Sequence, residues 1–100
     1  MQVREVNRRE IEARLLKMGD YVKIDYLLSC LKQNIDFDTK RFVLLKLASL
    51  YETRKMFLEA GKMMQAVASI NTTDRAKITD YLKAGDLFIK AGNFENADSA

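Results

Sequence analysis

Enzyme chemistry needs a nucleophile, a proton-transfer group and a charge stabiliser that converge on one point. This chain of 100 residues has no histidine, so it lacks the commonest general base and the commonest metal ligand. Its candidates are one cysteine, the carboxylates, the lysines and the tyrosines. Cys30 could act as a reactive thiol. It sits among Leu27, Leu28 and Leu31, however, where a small buried hydrophobe is expected. Asp36 and Asp38 could mimic a carboxylate pair, but residues 33–38 read better as a polar loop ending in a helix N-cap at Asp38. Gly19, Gly61, Gly85 and Gly92 are scattered singly and form no phosphate-cradling run. No metal-ligand spacing occurs. Met56, Met63 and Met64 could build an adaptable binding surface, with core packing the plainer role. The expectation is a chain without catalysis, cofactor or metal.

Composition points the same way. Apolar residues make up 48% and charged residues 31%, which suits a soluble globular or helical-array protein and argues against disorder. A lone cysteine cannot form an internal disulfide. No apolar run approaches the roughly 20 residues of a membrane span. Arg4, Glu5, Arg8, Arg9, Glu10 and Glu12 leave no apolar signal region at the start, so a cytoplasmic protein is expected. The formal charge is +3. The local basic excess is Lys40, Arg41, Lys46, Arg54, Lys55 and Lys62, set against Glu52 and Glu59. It could face an acidic or phosphate ligand, or be a solvated helix face.

The elements that must carry any site are helices, because long windows show helical spacing and strand signals are sparse. The first is predicted over residues 6–18, with Asn7 as N-cap, Glu10 three residues on, and Ile11, Leu15 and Met18 in one apolar stripe. Gly19 is expected to end it in a left-handed cap. The others are predicted over residues 21–32, 39–54, 57–70 and 75–91. Residues 39–54 are apolar nearly all round and should be the most buried. Gly92 and Asn93 are expected to end the fifth helix, with a sixth starting near Phe94 and cut off at Ala100.

The turns repeat. Gly19, Lys55 and Gly92 fall 36 and 37 residues apart, each followed two residues later by an aromatic: Tyr21, Phe57 and Phe94. Leu15, Tyr51 and Phe88 precede the turns by four residues, and small residues recur as Ala48, Gly85, Ala60 and Ala97. Tyr81, Ala84, Gly85, Phe88, Gly92, Phe94 and Ala97 resemble the first part of a tetratricopeptide repeat at that family's spacing. Residues 44–67 match more loosely, with Lys55 in place of the turn glycine. The first unit matches least, with Glu12 and Ile24 in slots for small residues. No unit has the closing proline, and the spacing exceeds the family's period of about 34 residues.

The resemblance implies an all-α fold of antiparallel helical hairpins stacked as a short right-handed superhelix, with about five full helices and a truncated sixth. The units would span residues 5–37, 38–73 and 74–100 of one repeat domain, expected to be a fragment of a longer protein. It also implies a protein-interaction module whose first helices line a concave face. The family's groove slots fall on Arg9, Ala13, Leu16 and Lys17, on Leu45, Ser49, Glu52 and Thr53, and on Leu82, Asp86, Ile89 and Lys90. Ala13 and Ser49 stand where the family's carboxylate clamp has asparagine, so that clamp is not expected. A partner helix or peptide suits Leu16, Leu45, Leu82 and Ile89 better. The alternatives are a pentatricopeptide-like RNA reader, disfavoured by leucines in matching slots 45 and 82, and a regulatory or adaptor segment of a larger enzyme. Were the chain complete instead, the face beside Phe88 and Phe94 would be expected to self-associate.

Overall fold

A computed structural model describes the backbone of residues 7–99 and the side chains of residues 7–93. The described residues are all-helical: α1 (Arg8–Leu15), α2 (Asp20–Leu31), α3 (Phe37–Thr53), α4 (Phe57–Ile70) and α5 (Asp74–Ser99). Asn7 caps α1 as expected, its Oδ1 accepting the Glu10 N–H at 2.9 Å, and Ile11 and Leu15 are buried. The cap of α3 is Asp36, not Asp38. Its Oδ1 accepts the Thr39 N–H at 2.8 Å. The Thr39 hydroxyl and backbone together hold the Asp36 carboxyl below its ordinary pKa of 3.8. Thr73 caps α5 by accepting the Ala76 N–H at 3.2 Å.

Two glycines behave differently from expectation. Gly19 has φ −76° and precedes α2 in extended backbone, while α1 closes through short bonds from Lys17 and Met18 back to Arg14 and Leu15. No described glycine has positive φ. The helix therefore runs on through Gly92 and Asn93 to Ser99, and the break expected there does not occur. Glycine permits a left-handed cap but does not compel one. With no proline following, the helical hydrogen bonds continue at a cost of about 1 kcal/mol.

The left-handed residue is Lys55, at φ 60°. Its N–H bonds to the Glu52 carbonyl at 2.9 Å and the Met56 N–H to the Tyr51 carbonyl at 2.8 Å. This pair of bonds is the Schellman closure of a helix, which normally uses glycine. A side chain in this region costs about 1–2 kcal/mol. Lys55→Gly should therefore raise stability by about 0.5–1 kcal/mol after the added freedom of the unfolded glycine is subtracted. Lys55→Ala should not. Urea melts of both variants check this, and equal midpoints would remove the strain argument.

Side-chain pairs fix the helix directions. Arg54, after α3, lies 3.6 Å from Asp20 at the start of α2 and stacks 3.7 Å over the Tyr21 ring, so α2 and α3 are antiparallel. Arg8 lies over the Phe42 ring at 4.7 Å, which puts the starts of α1 and α3 together. Arg41 donates to Asn71 at 3.3 Å, and Asn71 in turn donates to Asp80. Glu52 meets Lys83 at 3.4 Å and Lys90 at 3.7 Å. Helices α1, α3 and α5 thus run one way, and α2 and α4 the other.

Helix α3 packs on α1, α2 and α4, and α4 packs on α5. As expected, α3 is the central element, burying Val43, Leu44, Leu47, Ala48 and Tyr51. The molecule measures 55 × 35 × 19 Å with a radius of gyration of 14.8 Å. A compact chain of this length would have about 13 Å, so the helices lie in an extended layer.

Ala48 on α3 and Ala60 on α4 are both buried in the core of these packed helices. Gly85 marks no close helix approach, since a side chain there would meet open space. Gly61 marks one instead. A Cβ at Gly61 would fall 2.7 Å from Cε1 of Phe88. Phe88 therefore turns toward α4, where its side chain is half-buried. Phe94 and Ala97 lie outside the described side chains. The first two helices approach each other less closely than the later pairs, in keeping with the bulky Glu12 and Ile24 in their small-residue slots.

Candidate interaction cleft

Parallel α1 and α3, with antiparallel α2 beside α3, leave a cleft of about 610 Å³. Its apolar lining is Ala13, Leu15, Leu16 and Leu50. Leu15 is buried, whereas Leu16 is 87% exposed. The difference follows from helical geometry: Leu16 keeps αR backbone, so its side chain points about 100° away from Leu15 and off the Ile11–Leu15 stripe. The charged lining is Arg9, Glu12, Lys23 and Lys46. Glu12 is held by Arg8 Nε at 3.2 Å. Among the described residues Arg9, Lys23 and Lys46 enter no ion pair.

Of the groove residues expected from the sequence, Arg9, Ala13 and Leu16 line this cleft, and Lys17 is exposed beside it. Leu45 is half-buried and packs against the core. Ser49 is exposed, and its carbonyl accepts the Thr53 hydroxyl at 2.9 Å. Glu52 and Lys90 pair with each other across α3 and α5, and Lys90 also lies 6.0 Å from the Phe57 ring. These charges tie two helices at the surface, an arrangement worth at most about 1 kcal/mol. Leu82, Asp86 and Ile89 are exposed on α5, with Leu82 at 66% and Ile89 at 64%. The expected residues therefore form two groups, one at the cleft and one along α5.

Lys23, Lys46 and Leu50 belong to the cleft and were absent from the sequence-derived set. Lys46 stood within the basic excess of residues 40–62. Lys23 carried no signal, because it comes from α2, a second helix, whereas the resemblance puts groove slots on first helices.

The candidate chemical residues take different places in the fold. Cys30 is fully buried, and burial pushes its thiol pKa up against the opposing pull of Tyr26, which lowers thiolate content. Asp36 is engaged as a cap. Met64 is buried and Met63 packs on the core, while Met56 is exposed. Among the described residues no cluster of His, Cys, Asp and Glu could hold a metal, and no helix is long and apolar enough to cross a membrane. Comparison with known proteins finds no matching family model, no matching curated protein and no matching solved structure.

Proposed function

We propose that this chain is a non-catalytic protein-interaction module of tetratricopeptide-like type, which binds a segment of a partner protein along the faces of α1, α3 and α5. The observation that carries the reading is the cleft itself: a leucine-lined hollow between parallel helices, with Leu16 standing free at its edge. An exposed leucine at such an edge is the kind of anchor an amphipathic segment covers. Leu82 and Ile89 on the parallel α5 extend the apolar surface available to a partner. A single free thiol fits a reducing compartment, and the reading takes the module as cytoplasmic.

A photo-crosslinking residue in place of Leu16 or Leu82 should capture the same partner. One in place of Lys62, on the exposed side of α4, should not. Leu16→Asp combined with Leu82→Asp should weaken binding of the captured partner at least about tenfold, as losing anchor residues does, with helical circular dichroism unchanged. Capture that is equal from all three positions, or affinity unaltered in the double variant, would overturn the reading.

A further inference from the structure

The cleft carries a chemical preference as well as a shape. Arg9 comes from α1, Lys23 from α2 and Lys46 from α3, so three cations from three elements ring one leucine floor. Among the described residues none is neutralised and Glu12, the one lining carboxylate among them, is paired with Arg8. The rim therefore presents unsatisfied positive charge around apolar surface. Its complement is a segment with leucine-like side chains on one face and carboxylates flanking them.

We infer that the α1–α2–α3 cleft takes an acidic, leucine-bearing helical segment of a partner protein, an inference that rests on the interaction reading above. Nucleic acid is the weaker match. Single-stranded bases need aromatic platforms to stack on, and among the described residues no aromatic side chain lines the cleft. A volume of about 610 Å³ holds a few side chains, which suits anchors projecting from a helix. The charges also predict how the complex forms: the rim steers acidic segments inward, and added salt slows the encounter.

The test uses two fluorescein-labelled helical peptides with leucines at the same i, i+4 and i+7 positions, one with glutamates between them and its twin with lysines, together with labelled poly-uridine RNA. The glutamate peptide should bind at least about tenfold more tightly than its twin, as expected of several exposed ion pairs acting together, and the margin should shrink as salt rises. Lys23→Glu with Lys46→Glu should invert the preference. Arg9→Glu, at an exposed position of α1, should reduce it in a chain whose circular dichroism is unchanged, which keeps the test intact if the double variant unfolds. Equal affinity for both peptides, or preference for the lysine twin, would overturn the acidic preference while leaving an interaction cleft standing. Binding of neither peptide, or of RNA alone, would overturn both.

Discussion

Gly61→Val is expected to destabilise the protein by about 2 kcal/mol. Helix propensity alone predicts the opposite, since glycine inside a helix is worse than valine by a few tenths of a kcal/mol. The seam between α4 and α5 decides the sign. Any Cβ at Gly61 lies 2.7 Å from Cε1 and 2.8 Å from Cδ1 of the Phe88 ring, and overpacking of this kind costs about 1–3 kcal/mol. Phe88→Ala in the same chain should recover part of the loss, because the obstructing ring is gone. The double-mutant cycle should give a coupling of about 1 kcal/mol or more. Gly85→Ala is the internal control. A side chain there meets nothing, so removal of a helical glycine should stabilise by about 0.5–1 kcal/mol. Denaturant midpoints of the four variants measure these effects. Strict additivity of Gly61→Val and Phe88→Ala would mean that the two helices do not meet as described.

Leu47→Ala should cost about 3 kcal/mol. Leu47 has no exposed surface and sits in α3, the helix that touches α1, α2 and α4. Truncating a buried leucine loses its transfer free energy and leaves a cavity, together worth about 2–5 kcal/mol. For a chain of this size each kcal/mol lowers Tm by about 4–8 °C, so the melting point should fall by more than about 10 °C. The adjacent Lys46→Ala, on the exposed side of the same helix, should change stability by no more than about 0.5 kcal/mol. Comparable losses at both positions would contradict the placement of α3 at the centre.

The helices were readable because burial follows spacing. Ile11 and Leu15, or Val43, Leu47 and Tyr51, recur at helical intervals and are the residues found inside. What spacing could not supply was backbone conformation at single positions. Gly19 and Gly92 looked like helix ends by residue type, yet neither is left-handed. Lys55 is left-handed, and lysine itself gives no hint of it. Only its register, in the slot where the neighbouring turns carry glycine, pointed there. The close approach of Gly61 to Phe88 joins residues on different helices, and no local pattern announces such a contact.

The site was legible in part for the same reason. Arg9 and Leu16 lie on the helix expected to line a groove, and the structure puts both in the cleft. Leu45 was drawn inward because α3 is apolar nearly all round and packs on three neighbours. Lys23 enters the cleft from α2, a geometry set by how the first two helices splay.

The most direct measurement is an amide NMR titration of the ¹⁵N-labelled chain with the glutamate–leucine peptide. Shift changes should concentrate at Arg9, Leu16, Lys23, Lys46 and Leu50, with the exposed side of α4 around Lys62 silent. Changes centred on that side of α4, or spread evenly over the chain, would contradict a cleft between α1, α2 and α3 as the surface that grips a partner.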